Sequence, residues 1–246
     1  MSDNAKGNGK VGSVLVVGGG IAGLEAALSL ADAGYLTTIV TKDASVGGRM
    51  AQLDKTFPTN DCSTCMLSPR MVAVGGHPNI DILVLSKLTK LEGGPGNFTA
   101  HVHKKATYVD FDKCTGCEEC TKKCPTKPLN IPNEFNEGIN TRRAISLMFP
   151  QAVPKKCFID PNYCRQLQGK KCGVCEKVCK AGAINYNDTD KDITLNVGAV
   201  ILAPGYKITD PKLLGEYGYG RIPNVVTSLE FERLLSASGP YAGHVQ

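Results

Sequence analysis

Eight of the chain's eleven cysteines fall into two groups whose spacing suits metal ligation. Cys114, Cys117, Cys120 and Cys124 stand in the stretch YVDFDKCTGCEECTKKCP, three residues apart and then four, with Pro125 next. In the run Cys-x2-Cys-x2-Cys-x3-Cys-Pro, three thiolates wrap one four-iron cluster and the fourth reaches across to a second cluster. A second run is therefore required.

The chain supplies it by repeating itself. YVDFDKC at 108–114 aligns with FIDPNYC at 158–164, and CPTKPLNI at 124–131 aligns with CKAGAINY at 179–186. Each half then reads as a short strand, a ligand loop and a second strand. Cys164 takes the place of Cys114, and Cys172, Cys175 and Cys179 complete the set after the insertion RQLQGKK. The spacing assigns one [4Fe-4S] cluster to Cys114, Cys117, Cys120 and Cys179, and another to Cys164, Cys172, Cys175 and Cys124. Cys157 aligns with Thr107, outside the ligand loop, and reads as a spare thiol in a strand. Zinc is the alternative, but zinc ribbons use separated pairs, and three cysteines at i, i+3 and i+6 over-supply one tetrahedral ion.

Cys62 and Cys65, in NDCSTCMLSP, form a further Cys-x2-Cys pair. From the residues alone it is a dithiol or disulfide, half of a metal site, or two buried small hydrophobes. Asp61 beside it raises a thiol pKa, which argues against a reactive nucleophile. His77, His101, His103 and His244 are scattered. His101 and His103 share one face of an expected strand and read as surface residues.

The elements that must position a cofactor lie upstream. SVLVVGGGIAGLEAALSLADAGYLTTIVTKD changes periodicity midway. Val14 to Val17 is a continuous β-branched run, as in a strand buried on both faces. From Ile21 to Ala33, Leu24, Ala27, Leu28 and Ala31 recur at helical spacing until Gly34, and Thr37 to Val40 begins the next strand. Gly18, Gly20 and Gly23 therefore occupy a strand-to-helix turn in G-x-G-x-x-G order, the dinucleotide-binding arrangement. The first glycine permits the tight turn, the second admits a pyrophosphate to the backbone, and the third lets the helix pack on the strand. Where a carboxylate for the ribose is expected, about 20 residues on, the chain has Thr41, with Lys42 and Asp43 next. SVGGRM then offers Gly48 and Arg49, a close backbone approach and a guanidinium that could meet phosphate or carbonyl oxygens.

Composition excludes several classes. The 246 residues suffice for one large domain or two small ones. The polar N-terminus MSDNAKGNGK has no apolar signal-peptide core, so the cysteines read as reduced and the chain as cytoplasmic. Glu25 and Asp32 interrupt the most apolar stretch, which argues against membrane insertion. The net charge of +5 concentrates at 101–190. There it offsets cluster charge or docks an acidic redox partner, rather than binding nucleic acid; the chain has no Trp to serve as a stacking platform.

The sequence resembles the A subunit of heterodisulfide reductase and its bacterial relatives, including the A subunit of quinone-interacting membrane-bound oxidoreductase. VLVVGGGIAGLEAALSLADAGY, VGGRMAQLDKTFPTNDCSTCMLSPRM, the ferredoxin run and NEFNEGINTRRAISLMFPQAVP at 133–154 carry the resemblance. It implies a thioredoxin-reductase-like flavoprotein that binds FAD, with a ferredoxin domain inserted and electrons passing to partner subunits, in some members by bifurcation. It also implies that Cys62 or Cys65 helps hold a further cluster, and it adds Gly205, in ILAPGY, to the flavin residues. Thr41 and Pro204 depart from the family pattern, and the family's remaining flavin-domain elements do not come after them.

The expected fold is α/β: a Rossmann-like FAD-binding domain with an inserted α+β two-cluster ferredoxin-like domain. Residues 1–12 form a flexible tail, 13–106 the first part of the FAD domain, 107–190 the insert, and 191–246 a truncated return. The cofactors are FAD, at Gly18, Gly20, Ile21, Ala22, Gly23, Lys42, Gly48, Arg49 and Gly205, and two [4Fe-4S] clusters. Expected partners are heterodisulfide reductase B- or C-like, hydrogenase or dehydrogenase subunits, or a second copy of the chain. The competing reading is a non-enzymatic ferredoxin-type relay on a degenerate flavin scaffold. A zinc protein that binds nucleic acid is a third.

Overall fold

The computed structural model describes residues 12–244; most of the expected tail at 1–12 lies outside the described residues. Ser13–Val17 (β1), the helix Ile21–Asp32 (α1) and Leu36–Val40 (β2) form the βαβ unit, and Gly34 takes the left-handed conformation (φ 90°) beyond the helix end. The helix Ser63–Gly76 (α2) leads to Ile80–Leu83 (β3). Ala199–Leu202 (β9) enters from far downstream, giving a parallel sheet in the order β9-β1-β2-β3. Leu15 and Val16 are fully buried, as a central strand covered on both faces requires.

A second, antiparallel sheet explains how the cysteine-rich stretch is inserted. Ser86–Gly94 (β4), Asn97–Lys104 (β5) and Lys191–Val197 (β8) pair in the order β8-β5-β4, with Lys191 opposite Lys104. The chain thus leaves at Lys104 and returns beside it 87 residues later, so the intervening segment closes on itself without breaking a strand. His101 and His103 lie on the exposed face of β5, as expected, against Glu92 and against Asp190 and Asp192.

Within the insert the repeat is visible bond for bond. Asp110 Oδ1 accepts from the Asp112 amide and Asp160 Oδ1 from the Asn162 amide, both at 3.0 Å. The amides of Cys114 and Cys164 donate to the carbonyls of Asp110 and Asp160. The Asp110 amide meets the Ala183 carbonyl and the Asp160 amide meets the Ala144 carbonyl, both at 2.7 Å. One element differs from the sequence alignment. The strand partner of Phe158–Ile159 (β7) is Ile145–Ser146 (β6), not residues 124–131. Ile145 is the counterpart of Ile184, which bridges Val109, and residues 125–143 stand ahead of it where the second half has only 180–182.

That insertion and the residues after β6 do not stay with the cysteines. Phe135, Phe149 and Ala152 join the core formed by α1, α2 and the parallel sheet. The carbonyl of Val153 accepts from the Val46 amide at 2.9 Å and from Ser45 Oγ at 3.0 Å. The expected insert at 107–190 is therefore divided, with residues around 133–153 packed on the dinucleotide unit.

Ser228–Leu235 (α5) locks this arrangement. It begins with a reciprocal capping box between Thr227 and Glu230. Arg233 is completely buried and donates to Asn136 Oδ1 at 2.9 Å and to the carbonyls of Gln52 and Ser238 at 3.2 Å. Its guanidinium lies 4.9 Å from the centre of the Phe135 ring, which stacks on Phe149. Arg233→Met leaves three acceptors without their donor, so a loss of about 3 kcal/mol is expected. A denaturant midpoint equal to wild type would contradict this role.

Candidate functional site

The carboxyl ends of β1, β2 and β9 bring the glycine loops together. Gly18 has φ 122°, and a Cβ there would stand 1.9 Å from the Ala203 carbonyl oxygen, so the end of β9 lies directly against the first glycine. Gly205 comes next, exposed, with φ 67°. Gly23 packs equally close to the Gly18 carbonyl, whereas a Cβ on Gly20 would meet nothing within 4 Å. Ile21, Ala22 and Gly23 open α1, whose first turn carries no acidic side chain. The amides of such a turn have no intrahelical acceptor, which suits an anion. Gly47 bridges Gly20, and a Cβ on Gly48 would stand 2.9 Å from the Gly20 Cα. Gly18, Gly20 and Gly48 thus meet at one turn, with Gly23 packed beneath it and open space over Gly20. This is the place where open α/β sheets bind ligands, and a dinucleotide fits it.

Two expected contacts are arranged differently. Thr41 is buried beneath Gly19, its Oγ1 accepting from the Asp43 amide, so it does not stand free as a ribose ligand. Lys42 beside it is exposed. Arg49 uses Nη1 on Glu137 and Gln52, both at 2.8 Å, and thereby ties its loop to the 133–153 segment. Burial raises the pKa of the neighbouring Asp43, against the opposing charges of Lys42 and Arg49. Sequence reasoning missed Gln52, Glu137 and Arg233 because their partners lie far away in the chain.

The cysteine loops are built twice on one plan. Glu118 (φ 61°) and Gly173 (φ 72°) are left-handed residues that start the short helices Glu119–Lys123 (α3) and Val174–Val178 (α4). Cys124 and Cys179 close those helices as C-caps. Both C-cap cysteines leave the helical conformation for extended backbone. Cys124 lines a cavity with Cys164, Cys172 and Cys175, walled by Ile145, Ile159 and Tyr186. Burial pushes the Cys175 thiol up to about 11, although Tyr186 Oη lies 2.9 Å away. Four cysteines lining one cavity match the number and type of ligands that a [4Fe-4S] cluster takes.

Of the other four expected ligands, Cys114 and Cys120 are buried, Cys117 is exposed and Cys179 is half-buried. Cys157 is not a bystander there. Its thiol is buried beside those of Cys114 and Cys120, and this proximity lowers their pKa values, that of Cys120 to about 7, while its own is raised. The alignment could not show this, because its counterpart Thr107 turns its hydroxyl to the Val109 carbonyl. Cys62 and Cys65 form a disulfide at the start of α2, and Cys62 Sγ accepts from the Cys65 amide at 3.2 Å. No helix among the described residues is long and apolar enough to cross a membrane.

Residues 13–64 match the FAD dependent oxidoreductase family and residues 107–130 the 4Fe-4S binding domain family. Among curated proteins, one of Archaeoglobus profundus, named as like the A subunit of heterodisulfide reductase, is 49% identical over 94% of this chain and 35% of its own length. The chain is similar in sequence to the heterodisulfide reductase A subunits. Two further proteins agree, each 47% identical over 94% of this chain and 34% of its own length. They are the iron-sulfur A subunit of the CoB–CoM heterodisulfide reductase of Methanocaldococcus jannaschii and the A subunit of the H2:CoB-CoM heterodisulfide,ferredoxin reductase of Methanothermobacter marburgensis. The chain spans about a third of the length of these relatives. It combines an FAD-oxidoreductase segment and a 4Fe-4S segment in one Rossmann-like α/β chain with a cysteine-rich insert.

Proposed function

We propose that this chain is the electron-transfer part of a cytoplasmic heterodisulfide-reductase-like iron-sulfur flavoprotein that holds FAD and two [4Fe-4S] clusters and serves partner subunits. The observation that carries the reading is the cavity in which Cys124, from the first run, meets Cys164, Cys172 and Cys175 from the second. Two interlocked four-iron sites need such an exchange, and a pair of independent zinc ribbons does not. The other site is Cys114, Cys117, Cys120 and Cys179, with the Cys157 thiol against two of its sulfurs.

When bound, FAD exchanges electrons in pairs or singly, and the clusters carry them singly. The chain's own residues set the rest. Gly18 and Gly23 press strand and helix together, the open backbone at Gly20 and the first turn of α1 receive the pyrophosphate, and Gly48 and Gly205 wall the crevice. The segment 133–153 fixes the cysteine loops to that crevice through Ser45, Val46 and Arg49. Cys62 and Cys65 are proposed as half of a further metal site completed by another domain or chain, formed when their disulfide is reduced. Partners of the heterodisulfide reductase B/C, hydrogenase or dehydrogenase type, a homodimer, and bifurcation at the flavin belong to the same reading.

Anaerobic purification with iron, acid-labile sulfide and flavin assays tests it. About eight iron and eight sulfide per chain are expected, together with one FAD. Near-stoichiometric zinc without labile sulfide overturns the cluster assignment. Full iron with no flavin after incubation with FAD favours the relay reading instead, which the engagement of Arg49 with Glu137 and the burial of Thr41 support.

A further inference from the structure

The two cysteine runs are not equally enclosed. In the first, Gly116 (φ 69°) packs directly against the Lys155 carbonyl, and Lys156 Nζ donates to the Cys114 carbonyl. Lys155 and Lys156 follow Val153, whose carbonyl accepts from Val46 and Ser45, so this ligand loop is backed by the dinucleotide unit. In the second run RQLQGKK, at 165–171, stands where the first has only Thr115 and Gly116. Those extra residues close into a turn of their own. The Gln168 amide donates to the Cys164 carbonyl at 3.0 Å, the Lys170 amide to the Arg165 carbonyl at 2.9 Å, and Gln166 Oε1 accepts from the Cys172 amide at 2.9 Å. Arg165 and Gln166 also line the cavity in which Cys124, Cys164, Cys172 and Cys175 meet. The turn is thus fixed on the second cysteine set.

Its charges are exposed and uncompensated. Arg165, Lys170 and Lys171 are exposed, and none takes part in an ion pair among the described residues, whereas Lys113 and Lys122 of the first run pair with Asp110 and Glu119. Between Asp160 and Asp188 the chain has one carboxylate, Glu176, against five cations. A cationic patch held in place beside a redox centre draws in an anionic partner and orients it at contact. We propose that the turn at 165–171 is the docking face for an acidic one-electron carrier protein, which exchanges an electron with the cluster at Cys164, Cys172, Cys175 and Cys124. Resting on the two-cluster reading above, this puts the first cluster on the dinucleotide side and the exit at the second. One electron passes between the carrier's iron-sulfur centre and the chain's cluster, with no bond formed or broken. Cys117, exposed in the first run, is the competing exit.

The test is stopped-flow electron transfer from an acidic ferredoxin, reduced with dithionite and freed of the excess, to the full chain, purified anaerobically and assayed for iron and labile sulfide. The second-order rate is expected to fall steeply as salt is raised. Lys170→Glu/Lys171→Glu should lower it about tenfold at low salt, and the neutral Lys170→Gln/Lys171→Gln about threefold, both with wild-type iron content. Lys122→Glu, on the side of Cys117, should leave it nearly unchanged. A larger loss in Lys122→Glu than in the double variants places the exit at Cys117 and overturns the proposal. Loss of iron in both double variants means that the lysines only offset cluster charge, and overturns it too. Preference for duplex DNA over ferredoxin, abolished in the same variants, would assign the patch to nucleic acid instead. A wild-type chain without iron and sulfide sinks the cluster reading itself, whereas full clusters with a salt-independent rate sink the docking face alone.

Discussion

Cys124→Ser is expected to remove the cluster at Cys164, Cys172 and Cys175 and to spare the one at Cys114, Cys117 and Cys120, even though Cys124 belongs to the latter run in sequence. Cys124, the C-cap of α3, lines the cavity of the second run. A three-thiolate site with a weaker oxygen ligand loses iron readily, because thiolate softness is what holds such clusters. Iron should fall from about eight to about four per chain, and Cys172→Ser should give the same residual spectrum by electron paramagnetic resonance. Cys120→Ser should give the complementary one. If Cys124→Ser and Cys120→Ser left the same residual cluster, the crossed assignment would fail. Cys179→Ser compared with Cys157→Ser then identifies the fourth ligand of the first set, and the proposal requires that Cys179 be the one whose loss empties it.

The second large effect is expected at the glycine crevice, where neighbouring positions separate packing from binding. In Gly23→Ala the new methyl would meet the Gly18 carbonyl oxygen at 1.9 Å and the Val16 side chain at 3.3 Å. Helix α1 must lift off β1 and disturb the packing of Leu24, Ala27, Leu28 and Ala31. Overpacking against backbone costs about 3 kcal/mol, and flavin content should fall with it. In Gly20→Ala the methyl meets no protein atom within 4 Å. Stability should therefore hold to within about 0.5 kcal/mol of wild type, while FAD binding drops, because the methyl occupies the ligand's space. Denaturant midpoints and flavin-to-protein ratios measure both. Retention of full flavin by Gly20→Ala would place the cofactor elsewhere.

The elements of the dinucleotide unit were legible because their signals are local. The β-branched run at Val14–Val17, the helical spacing from Leu24 to Ala31 and the stop at Gly34 are each decided within a few residues by sterics and burial, and the structure places them within a residue or so. The Asp110 and Asp160 turns repeat for the same reason. Long-range pairing left weaker marks. Residues 124–131 resembled 179–186 closely enough to suggest a strand, yet Ile145 takes that place, because residues 125–143, which replace 180–182 of the other half, can be looped out at small entropic cost.

Arg49 shows the same division. Its type and position after β2 suited a flavin phosphate, but a guanidinium takes the nearest well-placed carboxylate, and Glu137 arrives 88 residues later in sequence. Cys157 had no spacing signal, since only the fold brings its thiol to Cys114 and Cys120.

By itself, then, the sequence carried the local patterns of the expected chemistry: cysteines at the spacing of iron-sulfur ligands and a glycine turn of the dinucleotide type. Those requirements span one turn of chain, where ligand spacing and φ preference leave few choices. The tertiary structure alone decided which strand completes each half of the cysteine module, that the 133–153 segment belongs to the dinucleotide core, and that Arg233 is buried to lock it there. Such contacts depend on volumes and hydrogen-bond partners contributed by distant residues, and no local pattern encodes which ones will meet.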